Sequence, residues 1–415
     1  MTIFFSVGEP SGDLHGANLV RELRERRPNV RCVGYGGPRM AAEGCELHED
    51  LTRFAVMWLL QVLLNLPKFI GLKRRAERYF AENRPDAVVL IDYPGFNWHI
   101  ARAAKRQGVP VFYYGAPQLW GWASWRVKKM RRDVDHALCK LPFEEAWFRE
   151  RGCNATHVGH PYFDELRGRE LDDEFVAEHQ GAAGPLVTIL PGSRTQEVKA
   201  NLPKQLEAAE RVLEQVPTTR FAIASFKEKQ AEMAHEALAA CPAALAERTT
   251  VHVGRTPELI EAATCCLAVS GSVSLELLYH AKPTVVVYHV SRFAFAVQKW
   301  FRRVRYITLV NLLTADDLFA DSKEPVGVYD AADPRDAHVL MPEYLTCEDR
   351  TELIAGHLVG WLTDDASRRA LVDQMAALRE RVGHGGASLR AAEYLLGHLE
   401  PGAADASNPA AGEAA

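Results

Sequence analysis

Short, unbroken apolar runs alternate along this chain with stretches whose apolar positions recur at helical spacing, and glycine or proline cuts most runs short. The first run, Ile3-Phe4-Phe5-Ser6-Val7, breaks into Gly8-Glu9-Pro10-Ser11-Gly12-Asp13 and passes into a helical pattern over 14–23. Runs of this kind suit strands buried on both faces, the condition of a parallel sheet covered by helices. Further strands are predicted at 31–35, 87–92, 109–114, 137–140 and 156–158, with helical patterns at 72–83 and 97–107. The theme then repeats. Strands are predicted at 186–190, 220–225, 250–253, 267–270 and 284–288, and helices at 203–215, 230–240, 257–263 and 273–279. Helical patterns at 350–363, 366–382 and 387–399 follow, and the tail 401–415, rich in Ala, Gly and Pro, reads as disordered. This alternation predicts an α/β protein of two Rossmann-like domains facing a central cleft, with the polar segment 168–184 as the linker between them.

Composition narrows the picture only a little. At 415 residues the chain exceeds one comfortable core, which agrees with two domains. A formal charge of -5 neither requires nor forbids a polyanionic partner, because local patches outweigh the sum. The eight cysteines form no CxxC pair and have no companion histidine spacing, so they read as reduced thiols of a cytoplasmic protein and not as a metal site. Gly8-Glu9-Pro10 ends the first apolar run too early for a signal peptide.

The chemistry concentrates where strands hand over to helices. Ser270-Gly271-Ser272-Val273-Ser274-Leu275-Glu276 follows a strand and opens a helix. Small residues there let a diphosphate approach the backbone, and Glu276 is placed to grip a ribose diol. An ordinary capping box, with Ser as N-cap and Glu near N3, accounts for the same residues equally well. Pro191-Gly192-Ser193-Arg194 adds a forked cation suited to phosphate oxygens, against the plainer view of a solvated arginine on a first helical turn. Ala87-Val88-Val89-Leu90-Ile91-Asp92 ends an apolar strand in a carboxylate, a candidate general base, although an Asx turn ahead of Pro94 is as good an account. Asp13 and His15 are rival bases on the first loop and helical turn.

Three stretches are amphiphilic. Residues 54–72 are apolar around nearly the whole helical circumference and are followed by Lys73, Arg74, Arg75 and Arg78. Such a helix must be buried or meet lipid, yet Asn65, Pro67 and Lys68 interrupt it and argue against a span. Trp120, Trp122 and Trp125 interleave with Arg126, Lys128, Lys129, Arg131 and Arg132, and 293–305 ends in Trp300-Phe301-Arg302-Arg303. Indoles among cations fit a lipid interface or single-stranded nucleic acid, and the apolar helix favours lipid.

Taken together, these stretches resemble the lipid-A-disaccharide synthase family. The motifs are GEPSGDLHGANL from Gly8, GGPRM from Gly36, IDYPGFN from Ile91, PQLWGWASWRVKKM from Pro117, LPFE from Leu141, VGHP from Val158, LPGSR from Leu190, SGSVSLE from Ser270 and VNLLT from Val310. The resemblance implies an inverting, metal-independent glycosyltransferase of the GT-B type, with no cofactor. It would transfer a sugar from UDP-2,3-diacylglucosamine to the 6-hydroxyl of 2,3-diacylglucosamine 1-phosphate, giving a β-1,6 disaccharide phosphate and UDP. It implies a last helix crossing back onto the N-terminal domain, hence domains at 1–167 with about 385–400, and at 168–384. Gly192, Ser193, Arg194, Gly271, Ser272, Val273, Ser274 and Glu276, with Ser11 and Gly12, would bind UDP. Trp58, Leu59, Leu60, Leu63, Leu64 and Phe69 would meet acyl chains. The protein would lie peripherally on the cytoplasmic face of an inner membrane, without nucleic acid, and a homodimer fits equally. Many members carry a second aspartate, as Ile-Asp-x-Pro-Asp-Phe, where this chain has Gly95. The competing readings are a UDP-N-acetylglucosamine 2-epimerase, which shares the architecture, and a non-enzymatic membrane or nucleic-acid-binding module.

Overall fold

The structure is a computed structural model and describes residues 1–54, 66–301, 304–316, 318–319 and 328–399. Its contacts divide the chain into two compact units, Met1–Asp164 together with the segment from Gly385, and Glu165–His384.

In the first unit seven parallel strands form one sheet: β1 (Thr2–Val7), β2 (Arg31–Gly36), β3 (Glu46–Asp50), β4 (Ala87–Ile91), β5 (Val111–Tyr114), β6 (His136–Cys139) and β7 (Ala155–His157), in the order β3-β2-β1-β4-β5-β6-β7. The apolar runs are its centre, since Ile3, Phe4, Phe5, Val88, Val89 and Leu90 are fully buried. Strand β3, Glu46-Leu47-His48-Glu49-Asp50, escaped prediction because an edge strand with one wet side needs no apolar run. Strand order reverses between β1 and β4, so the loops after these two strands diverge and leave a crevice at their carboxyl ends.

The second unit repeats the plan with β8 (Leu186–Leu190), β9 (Arg220–Ser225), β10 (Thr249–Val253), β11 (Cys265–Ala268), β12 (Thr284–His289) and β13 (Glu343–Thr346). Their order is β10-β9-β8-β11-β12-β13, again all parallel, with the reversal between β8 and β11. Both units are therefore doubly wound α/β folds of the GT-B kind. The four loops singled out in the sequence follow β1, β4, β8 and β11, the strands that flank the two reversals.

Two local expectations need correction. The segment 168–184 is not plain linker: it holds the helix Asp173–Gly181, whose N-cap Asp172 accepts a hydrogen bond from the Phe175 N–H at 3.1 Å. Arg255 ties that cap down at 2.8 Å. The helix expected to begin at Pro203 starts at Thr195, and Pro203 lies inside it at the cost of one backbone hydrogen bond.

The helix Ala387–Leu399 returns to the first unit. Ala391, Ala392, Leu395 and Leu396 share a core with Ile3, Leu19 and Leu23, and full burial of each leucine contributes about 1.5–3 kcal/mol. Asp164 receives the first N–H groups of this helix, from Gly386 at 2.5 Å, Ala387 at 3.2 Å and Ser388 at 2.9 Å. The last segment is thus held by packing along its length and by a carboxylate cap at its start.

Candidate active site

Strand β4 ends at Ile91 and the helix Pro94–Arg106 begins two residues later, so the chain must turn on Asp92 and Tyr93 alone. Both adopt left-handed backbone angles, φ 48° and 44°, which cost a residue with a Cβ about 1–2 kcal/mol each. The turn delivers Asp92 into a small pocket with His15, Ile91, Tyr114, Gly115, Lys140 and Pro161. Lys140 Nζ lies 3.8 Å from Asp92 Oδ1, and the two side chains keep 15% and 23% exposure, so a carboxylate and an ammonium face each other at a partly wet opening. Gly12 explains how the first loop fits there: a Cβ on it would lie 3.2 Å from Asp92 Oδ2 and 3.0 Å from Val7.

The rival bases fare differently. Asp13 is buried and its carboxylate is spent on backbone, accepting from Gly37 N at 2.9 Å, Arg39 N at 3.0 Å and Met40 N at 3.1 Å. It holds the GGPRM turn and is not among the residues that line the Asp92 pocket. His15 is in the pocket and only 8% exposed, and its Nδ1 has no hydrogen-bond partner among the described residues. Burial pulls its pKa down to about 4, opposed by Asp92 and reinforced by Lys140, so the ring is neutral near pH 7. His160, 6.4 Å away ring to ring, is held well below the usual histidine range by burial and by the same lysine.

These buried, neutral rings make stability depend on pH. An unfolded chain takes up protons as pH falls below about 6.5, whereas folded His15 resists protonation until about pH 4. The unfolding free energy is therefore expected to drop between pH 6.5 and 4, by on the order of 3 kcal/mol from His15 alone. Urea titrations of wild type and His15→Gln across that window check this, since the variant is expected to lose part of the slope.

In the second unit the loop after β8 places Gly192 at φ +109°, where a Cβ would lie 2.8 Å from Glu197 Cβ. Ser193 and Arg194 are exposed beside it. Arg194 Nη1 rests on Glu197 Oε1 at 2.6 Å with the arginine side chain 58% exposed. In the loop after β11, Gly271 and Ser272 are exposed, Val273 is half-buried, and Ser274 is turned inward, its hydroxyl donating to Gly271 O at 2.9 Å. Ser274 therefore closes the turn and offers no hydroxyl outward. The ordinary capping box is not formed, since Ser272 makes no side-chain cap. Glu276 is instead 3% exposed and pairs with Arg169 Nη1 at 2.5 Å.

Sequence reasoning missed Lys140, Arg169 and two buried polar atoms at the carboxyl edge of the second sheet. Ser225 Oγ and Gln230 Oε1 have no partner among the described residues. A rule was at hand for Lys140 and Ser225, because each directly follows or ends a strand where such sheets take ligands. Nothing in the local pattern could have paired Arg169 with a glutamate 107 positions away.

The family model for Lipid-A-disaccharide synthetase matches residues 3–324. Lipid-A-disaccharide synthase of Myxococcus xanthus is 33% identical over 405 residues, covering 96% of this chain and 98% of that protein. The chain belongs to the lipid-A-disaccharide synthase family. It is accordingly a glycosyltransferase of lipid A biosynthesis, as the motifs led one to expect. Among solved structures, UDP-GlcNAc 2-epimerase from Neisseria meningitidis superposes with a TM-score of 0.60 at 12% identity, covering 95% of this chain and all of that one. Acinetobacter baumannii MurG gives 0.54 at 13% identity, covering 95% and 99%. At such identities the likeness extends to the fold alone, so the epimerase gives no support to the competing reading.

The amphiphilic stretches divide on inspection. Trp58, Leu59, Leu60, Leu63 and Leu64 lie outside the described residues, as do residues 302–303, the side chains of 298–301 and the tail 401–415. Phe69 is described and packs on Phe96 at 5.5 Å and Tyr93 at 6.1 Å, while Leu66 and Ile70 are 47% and 42% exposed. Trp120 is not a surface indole: it is buried, and its Nε1 donates to Glu144 at 2.9 Å. Trp122 and Trp125 are more than half exposed, with Arg126 stacked 5.3 Å over Trp122 and Lys128 and Lys129 exposed alongside. Arg305 leaves the third patch altogether, buried against Asp333 and Asp336. Among the described residues no helix is long and apolar enough to cross a membrane.

Proposed function

We propose that Asp92 is the general base of this family member and that the loops after β8 and β11 receive UDP. The observation that carries the assignment is the Asp92 turn, which sets a carboxylate in a pocket beside Lys140 and the neutral ring of His15. In this mechanism Asp92 takes the proton of the 6-hydroxyl of 2,3-diacylglucosamine 1-phosphate. The freed oxygen attacks the anomeric carbon of UDP-2,3-diacylglucosamine, the bond from that carbon to the phosphate oxygen breaks, and UDP leaves with the electron pair. Attack opposite the leaving group gives the β-1,6 linkage. Arg194 and the small-residue turn Gly271-Ser272 stabilise the charge that develops on the diphosphate, and Glu276 holds the ribose diol.

The acyl chains of both substrates need a lipid surface. Trp122 and Trp125, with Lys128, Lys129, Arg131 and Arg132, supply exposed indoles and cations suited to anionic headgroups on the cytoplasmic face of the inner membrane.

The test is UDP release from UDP-2,3-diacylglucosamine in detergent, with a chelator present, with and without the acceptor. The expected result is release that requires acceptor and yields disaccharide phosphate. No release, with conversion of UDP-N-acetylglucosamine to its 2-epimer, would overturn the proposal.

A further inference from the structure

We infer that Asn97 and Tyr113 are positioning residues that clamp the left-handed turn carrying Asp92. The inference rests on the assignment of Asp92 as base and extends it to the residues behind the pocket. Two consecutive non-glycine residues at positive φ form a strained junction, and glycine, which would relieve it, is absent from both positions. Such a turn persists only where its surroundings over-determine it, and here they converge on a single carbonyl. Asp92 O accepts from Asn97 Nδ2 at 2.8 Å and from the Tyr113 hydroxyl at 2.6 Å.

Asn97 does more than hold that one atom. Its Nδ2 also faces Ile91 O at 3.2 Å and Ser6 O at 3.1 Å, its Oδ1 accepts from Ser6 Oγ at 2.7 Å, and its backbone N–H reaches Tyr93 O at 3.1 Å. One amide side chain thus laces the end of β1 to the end of β4, at the reversal of strand order, and closes the turn from behind. Asn97, Ser6 and Tyr113 are all fully buried. With the carbonyl fixed on one side, the Asp92 side chain is held toward Lys140 and His15 on the other. Burial, and then the neighbouring Asp92 charge, raise the Tyr113 pKa well above the tyrosine range, so the phenol keeps its donor proton at any working pH.

The clean variant is Tyr113→Phe. It keeps the ring, and Asn97 still satisfies Asp92 O, so the fold stands; Asn97→Ala is the harsher companion. Tyr113→Phe is expected to lower kcat about tenfold, and Asn97→Ala about a hundredfold, with KM for both substrates within about twofold, because a displaced catalytic group costs rate and not ground-state binding. In an Asp92→Asn background Tyr113→Phe is expected to leave the residual rate unchanged, since its effect runs through the carboxylate. A normal kcat for Tyr113→Phe beside an inactive Asp92→Asn would overturn the clamp while leaving the base assignment intact. A further tenfold loss in the double variant would also overturn it. Full activity of Asp92→Asn alone would instead sink the base assignment on which the clamp rests.

Discussion

Asp92→Asn is expected to lower kcat by roughly 10²- to 10⁴-fold while the affinity for UDP stays within about twofold. The substitution keeps the size of the side chain and tolerates the left-handed backbone that Asp92 occupies, so the turn and its hydrogen bonds to Asn97 and Tyr113 survive. What it removes is the proton acceptor beside Lys140. The loops after β8 and β11 proposed to receive UDP belong to the other unit, and the substitution keeps the size of the side chain beside Gly12, so nucleotide binding is expected to be spared. Initial rates over a range of both substrates, paired with UDP titration of the same preparation, separate the two effects. Activity within threefold of wild type would move the role to His15, the other pocket residue that presents a lone pair at neutral pH. Asp13 is a weaker candidate because its carboxylate already accepts three backbone N–H groups, and Gly95 has nothing within 4 Å of a notional Cβ, so a carboxylate placed there would extend into open space.

How much of this was legible in the sequence follows from what each signal depends on. Strands β1, β4, β8 and β11 were readable because each is buried on both faces and must be apolar along its length. The loops that follow them could then be located by chain order alone. Strand β3 was not readable, because its hydrogen bonds and not its side chains make it a strand. The helix Asp173–Gly181 was hidden for a related reason: Val176 is its one buried residue, and its start is tied down by the Asp172 cap and by Arg255, 83 positions from that cap. The same limit applied within the site. Asp92 was visible as the polar end of an apolar run, but the choice between a base and an Asx turn needed the backbone angles. Asp13 and Asp92 look alike in sequence, and only three-dimensional partners separate a carboxylate that caps a turn from one that faces a pocket. The Trp120 indole was misread for that reason too, since its partner Glu144 lies 24 positions on, in the helix Pro142–Arg149 beyond β6.

Glu276→Gln is expected to weaken UDP binding about 10- to 150-fold, the equivalent of the 1.5–3 kcal/mol that hydrogen bonds to a charged group contribute. Glu276 is 3% exposed and pairs with Arg169 at 2.5 Å. Arg169 fixes the orientation of Glu276, so on the proposed assignment nucleotide would be spared the cost of ordering it. Neutralising Glu276 leaves the guanidinium facing an amide, so the variant is also expected to unfold a few degrees lower. Lower stability alone does not reduce affinity in the folded fraction, and a ligand change distinguishes the two consequences. If Glu276 grips the ribose hydroxyls, the penalty seen with UDP should vanish with 2′,3′-dideoxy-UDP, which has no diol to lose. Calorimetric titration of both nucleotides into wild type and variant completes the cycle. Equal losses for the two nucleotides would mean that Glu276 acts by holding Arg169 and the loop in place, and the diol contact would have to be assigned elsewhere on the carboxyl edge of the second sheet.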